Sequence, residues 1–138
     1  TNVISEARKK EKADPGVRRF LARLETEQLP VYLSVVTVGE LRRGVELIRH
    51  RRDLTQARRL EAWLQTVLSE YADCILPMDA DIAQLWGRLR VPHPEHALDK
   101  QIAATALIHN LTVVTRNQRD FEATGAPVFN PFENKASV

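Results

Sequence analysis

Leu98-Asp-Lys-Gln-Ile-Ala-Ala-Thr-Ala-Leu-Ile108, followed closely by Leu111-Thr-Val-Val-Thr-Arg-Asn117, decides the fold of this chain. The first stretch carries apolar residues at helical spacing and ends near His109-Asn110, where asparagine suits a C-terminal cap. The second is short, apolar and β-branched, the pattern of a buried strand. Asp99 opens the helix, and Asp120 lies just past the strand, with Asn117 at its exit. The same junction occurs earlier, where Val31-Tyr-Leu-Ser-Val-Val-Thr-Val-Gly39 leads into Glu40. Strands alternating with helices indicate an α/β domain with a parallel sheet, whose strand carboxyl ends share one crevice. Carboxylates gathered there repel one another unless protons or hard cations share the site. The pattern therefore points to phosphodiester chemistry supported by magnesium or manganese.

The rest of the chain fits this alternation. Asp14-Pro15-Gly16 starts a helix with Val17, Phe20, Leu21 and Leu24 inward, proline being suited to the first turn. Residues 31–36 form a strand, and Thr37 begins the next helix, with Leu41, Val45 and Ile48 inward. Asp53 caps a helix whose buried face runs Leu54, Ala57, Leu60, Leu64, Val67, Leu68 and Tyr71. Cys74 to Pro77 is a brief strand, with Cys74 a small buried hydrophobe. Asp79 caps a helix that includes Trp86; Trp86 and Trp63 pack in the core. Residues 91–96 contain two prolines and form a flexible loop. His93 and His96, three apart, form a possible zinc pair, but without cysteine companions and beside two prolines they are read as part of that loop. Asn117 to Ala123 is a short helix, Gly125 a turn, and 127–131 an edge strand or extended tail.

Composition sets the class. The 138 residues are 43% hydrophobic and 28% charged, enough for one domain with a core. No apolar run approaches a membrane span, nothing resembles a signal peptide, and the single cysteine suits a reducing cytoplasm. The net charge of +2 is uneven: residues 1–59 hold 14 Lys/Arg against 8 Asp/Glu, and residues 60–138 hold 6 against 10. Arg42, Arg43 and Arg49 could line a phosphate-contacting edge, or simply face solvent.

Each acidic residue also has a structural explanation. Thr37-Val-Gly-Glu40 fits a capping box, and Asn117-Gln-Arg-Asp120 is a weaker version of it. Asp99 in a first helical turn complements the helix dipole. What distinguishes the set is its surroundings. Small residues follow Asp99 and allow close helix–sheet packing. Thr115-Arg-Asn-Gln-Arg-Asp120 groups hydroxyl, amide and carboxylate oxygens that a hard cation accepts.

Ser34-Val-Val-Thr-Val-Gly-Glu-Leu-Arg-Arg-Gly44, Asp99-Lys-Gln-Ile-Ala-Ala-Thr105, Val114-Thr-Arg-Asn-Gln-Arg-Asp-Phe121 and Asn130-Pro-Phe132 together resemble a PIN-domain ribonuclease. The resemblance is strongest to VapC-type toxins of toxin–antitoxin modules. It implies a three-layer α/β/α fold with a central parallel sheet, and an acidic cluster that binds Mg2+ or Mn2+ and hydrolyses RNA by metal-activated water. Carried over by motif, Glu40, Asp99 and Asp120 are the catalytic, metal-directing carboxylates. Asn117 competes with Asp120 for the last position. Thr115 orients a ligand or water; separately, from charge alone, Arg42 and Arg43, with Arg49, are expected to face the RNA substrate. The resemblance further implies a cognate antitoxin, a homodimer, a structured RNA substrate such as tRNA, and a cytoplasmic protein with no membrane association. The opening Thr1-Asn-Val-Ile-Ser-Glu6 matches the segment that follows the family's first catalytic aspartate. Residues 1–138 are thus expected to be a single PIN domain that lacks its first strand and that aspartate, both ahead of Thr1. The rival expectation is a non-catalytic module on the same scaffold that binds nucleic acid or protein.

Overall fold

A computed structural model of the chain describes residues 1–133. The chain divides into two compact units, one formed by residues 1–30 with everything from Met78 onward, the other by residues 31–77. The expected single span of 1–138 includes 134–138, which lie outside the described residues.

The 31–77 unit starts with strand β1 (Leu33–Ser34), which runs directly into helix α3 (Val35–His50); the labels α1 and α2 belong to the other unit. The expected helix start at Thr37 is two residues late. The Ser34 hydroxyl accepts a hydrogen bond from the Val36 N–H at 3.0 Å and so supplies the cap. The cap contributes about 1 kcal/mol, which offsets only part of the summed cost of Val35, Val36 and Thr37 in a helix, roughly 0.5–0.7 kcal/mol each, and the burial of Thr37 decides for this start. Thr37 lies inside α3 and Glu40 falls in its second turn, so the capping box between them does not form.

Asp53 caps helix α4 (Leu54–Glu70), accepting from the Gln56 N–H at 3.2 Å. Helices α3 and α4 pack as a hairpin, and Leu41, Val45, Ala57, Leu64 and Val67 are buried. Leu54 departs from the expected buried face, being 52% exposed at the open end of its helix. A 3-10 turn over Ala72–Cys74 leads to β2 (Ile75–Leu76), which pairs in parallel with β1, Leu33 opposite Ile75. Cys74 belongs to that turn rather than to the strand, and is half-buried rather than buried.

The other unit begins with α1 (Asn2–Ala7) and α2 (Pro15–Thr26). Asp14 caps α2 through the Gly16 and Val17 amides, and the same oxygen accepts the Glu133 N–H at 2.9 Å. Residues 131–133 therefore close onto the start of α2. Gly16 is required there, since a β-carbon on it would lie 2.2 Å from the Pro131 carbonyl oxygen. Val3, Val17 and Phe132 form a small core around this closure.

Asp79 caps α5 (Ala80–Leu89), accepting from the Ile82 N–H at 2.9 Å. Helix α6 (Ala97–Ile108) packs on α5, and its buried Ala103, Ala104 and Ala106 permit close approach. Asn110, with φ of 54°, ends that helix and sends the chain into β3 (Val113–Val114). A 3-10 helix over Gln118–Thr124 and the turn at Gly125 (φ 81°) carry it to β4 (Val128–Phe129), parallel to β3. Ala103, Ala106, Val113, Phe121 and Ala126 make the core of this α6–β3–β4 layer.

Parallel pairing was expected, but the described strands form two separate two-stranded pairs, β1–β2 and β3–β4. Each strand is two residues long, and a cap or turn follows β1 and β3 within a residue or two. At the exit of β1 the cap is Ser34, and at the exit of β3 the Asn117 N–H bonds back to the Thr115 hydroxyl.

Candidate metal centre and nucleic-acid site

The amino end of α6 and the turn after β3 bring three side chains together. One ligand atom each from His96, Asp99 and Asp120 lie within 4.8 Å of one another. Asp99 stands in the first turn of α6, with its side chain about one-third exposed. Asp120 is carried by the 3-10 helix, where its N–H donates to the Asn117 carbonyl at 3.2 Å. The turn before it is held by the buried Thr115, whose hydroxyl oxygen accepts from the Asn117 N–H at 3.1 Å and from the Asn2 side-chain amide at 3.3 Å. Asn2 completes the tie by accepting the Arg116 N–H at 3.3 Å, so the start of α1 is fastened to the exit of β3. Thr115 thus acts here by fixing the turn that presents Asp120.

Two carboxylates and an imidazole are a donor set that divalent first-row cations accept. A cation with ligands at about 2.1 Å holds its donors no more than roughly 4.2 Å apart. At most one pair among three donors lies opposite at that distance and the others sit side by side about 3 Å apart, so these side chains must close by up to about 2 Å, within the reach of side-chain rotation, and in donor chemistry the residues present fit such an ion.

The sequence-predicted residues are distributed as follows. Asp99 and Asp120 come together. Asn117 is exposed and forms no side-chain cap, so the weak capping box expected over Asn117–Asp120 is absent. Glu40 lies half-buried on α3, in the 31–77 unit.

Arg42 is engaged in ion pairs on the α3–α4 hairpin. It forms a two-pronged pair with Glu61 at 2.7 and 2.8 Å and also reaches Glu46 at 3.1 Å. Arg49 joins the same carboxylates. The Arg42 guanidinium, with Gln65 and Arg49 behind it, lowers the Glu61 carboxyl to about 2, and the pairing raises Arg42 above its ordinary value. Arg43 is exposed and borders an open cleft of about 450 Å³ with Glu46, Leu47, Arg49 and His50.

His96 escaped the sequence reading, because the proline-flanked segment 91–96 suggested a flexible loop. Three side chains tie that loop down. The Trp86 indole N–H donates to the Ala97 carbonyl at 2.9 Å, the Arg90 Nε to the Pro94 carbonyl at 3.4 Å, and the Lys100 ammonium to the His93 carbonyl. The available signal was spacing: His96 and Asp99 are three apart, the separation that places two side chains on one helical face.

A match to the PIN domain covers residues 1–127. The chain belongs to the PIN domain family. Among its relatives, the toxin FitB of Neisseria gonorrhoeae is 38% identical over 141 aligned positions, covering 97% of this chain and 96% of the relative. The VapC ribonuclease Y4jK of Sinorhizobium fredii is 37% identical over 96% of this chain and 95% of its own length. The plasmid stability protein StbB of Pseudomonas syringae is 34% identical over 96% of both. Solved structures agree. The crystal structure of FitAcB from Neisseria gonorrhoeae contains a chain 39% identical, with a TM-score of 0.74 over 94% of both chains. The structure of FitAB bound to an IR36 DNA fragment gives 0.76 at 35% identity, covering 100% of this chain and 96% of that one. The α/β fold with parallel strands is that of the PIN domain. No helix among the described residues is long and apolar enough to cross a membrane.

Proposed function

We propose that this chain is the toxin of a toxin–antitoxin pair and a metal-dependent endoribonuclease, with residues 1–138 forming one PIN domain. The observation that carries the reading is the His96–Asp99–Asp120 group at a strand exit, in a chain 37% identical to a VapC ribonuclease over nearly its whole length. Asp99 and Asp120 hold a Mg2+ or Mn2+ ion, Glu40 contributes a further carboxylate by the family motif, and Asn117 flanks the site. When bound, such an ion polarises a phosphate oxygen and supplies hydroxide at neutral pH. The protein's part is to orient. Thr115 and Asn2 fix the Asp120 turn, the α6 amino end favours anionic groups near Asp99, and Arg43 contacts the RNA backbone. Arg42, which also pairs with Glu61, faces the same substrate edge. The partner is a cognate antitoxin protein, the substrate a structured RNA such as tRNA, the assembly a homodimer, and the location the cytoplasm.

A second reading, a binding module without turnover, draws on the open cleft beside Arg43, Arg49 and His50. RNA cleavage with added Mg2+ or Mn2+, run beside Glu40→Gln and Asp99→Asn, separates the two. Metal-dependent cutting that falls at least about 100-fold in both variants supports the nuclease. Salt-sensitive RNA binding without cutting under any metal supports the module.

A further inference from the structure

We infer that His96 is a third protein donor to the cation held by Asp99 and Asp120, and that its nitrogen biases this site toward Mn2+ over Mg2+. The inference rests on the nuclease reading and adds to it a ligand and a metal preference. His96 occupies the N-cap position of α6, yet its side chain makes no capping hydrogen bond. Nor does the helix dipole explain it, since the amino end of a helix favours anions rather than a basic ring. Its Nδ1 stands 4.0 Å from the Asp99 Oδ2, too far for a hydrogen bond but suited to two donors sharing one ion. The ring is brought there by a loop fixed at both ends. Lys100 anchors it twice, its ammonium on the His93 carbonyl and its backbone N–H on the His96 carbonyl at 3.0 Å. Lys100 is buried, 8% exposed, so this anchor is built into the fold. Lys100 is in this sense a positioning residue for His96.

Donor chemistry sets the preference. Mg2+ demands oxygen ligands and sheds its waters reluctantly, whereas Mn2+, although it too favours oxygen and stands lowest of the first-row ions for nitrogen, accepts an imidazole donor more readily than Mg2+ does. With an imidazole among three protein donors, Mn2+ gains a ligand that Mg2+ uses poorly.

The test uses the full chain with Mn2+ and Mg2+ alone as probes. His96→Gly removes the ring and keeps the left-handed backbone (φ 57°) accessible, and His96→Asn retains that backbone while offering oxygen in place of nitrogen. Pulsed electron paramagnetic resonance of bound Mn2+ is expected to show nitrogen-14 modulation in the wild type and none in either variant. Mn2+ affinity should fall about tenfold or more in His96→Gly, with Mg2+ affinity changing less than about threefold. Nitrogen modulation that is absent from the wild type or persists in the variants overturns the inference, as does an equal loss for both metals. Asp99→Asn in parallel keeps the two levels apart. Undiminished Mn2+ binding there overturns the active-site reading itself, whereas an unchanged His96→Gly beside a dead Asp99→Asn removes only His96.

Discussion

The two units treat their carboxylates in opposite ways. On the α3–α4 hairpin, Glu46 and Glu61 are matched by Arg42 and Arg49 in one four-residue network. At the α6 amino end, Asp99 and Asp120 lie within 4.8 Å of each other and of a histidine. The first arrangement carries no net charge and holds a helix pair together. The second sets two carboxylates beside one imidazole, and a bound cation would offset the repulsion between them. The unit holding Asp99 and Asp120 contains its own control, because Asp14 and Asp79 there are helix caps bonded to backbone amides. On the proposed reading acidic residues of one type fall into two jobs, and substitution should separate them: cap variants lose stability and keep activity, site variants do the reverse.

The largest effect belongs to Asp120. Asp120→Asn is expected to cut metal-dependent RNA cleavage at least about 100-fold, with a melting temperature unchanged or slightly raised as like-charge repulsion is relieved. Asn117→Ala, at the rival position, should stay within a few-fold of wild type. A reversal of those two results would move the last carboxylate position to the strand exit and break the assignment made from geometry.

Next comes the closure that holds the site's unit together. Gly16→Ala places a β-carbon 2.2 Å from the Pro131 carbonyl and 2.6 Å from the Glu133 nitrogen, both backbone atoms that cannot swing aside. A loss of about 1–3 kcal/mol in chemical denaturation is expected. A neutral result would mean that residues 131–133 do not pack over α2. Asp79→Ala follows at about 1 kcal/mol, the worth of an N-cap. Its cleavage rate at 25 °C should match wild type, since the cap acts on α5 and touches neither Asp99 nor Asp120. A tenfold drop in rate would put Asp79 on the wrong side of the division.

How much of this was legible follows from where each determinant lies along the chain. Asp14, Asp53 and Asp79 could be read as caps because a cap bonds amides two or three residues away. Asp99 and Asp120 could be read as a pair because each sits at a helix–strand junction of one α/β segment. The α3 start was misread because Ser34 and Thr37 both offer a capping hydroxyl, and only tertiary packing, which buries Thr37, decides between them. His96 was hidden because its loop is held by hydrogen bonds from Trp86, Arg90 and Lys100, four to eleven residues from their acceptors, beyond the two or three over which a cap can be read. The commitment of Arg42 was hidden similarly, its partner Glu61 lying 19 residues away on the next helix. Charge runs read along a sequence show their sign but not their partners.

The smallest predicted effect tests that last point. The Glu61 carboxyl is lowered from its ordinary 4.5 to about 2, chiefly by its hydrogen bonds to Arg42. A carboxyl with a lowered folded-state value binds its proton more readily when unfolded, so the stability it contributes is full above about 4.5 and disappears as pH falls through about 2. Glu61→Gln removes that contribution at every pH. The gap in melting temperature between wild type and Glu61→Gln should therefore be constant from pH 7 to about pH 5, narrow below pH 4.5, and be nearly closed by pH 2. The gap itself is expected to be small, because both partners are about one-third or more exposed and solvent screens them. Added salt at pH 7 should shrink it further. A gap as wide at pH 2 as at pH 7 would show that Glu61 acts through packing rather than charge, and the contrast between a neutralised cluster and a cation-seeking one would lose its electrostatic basis.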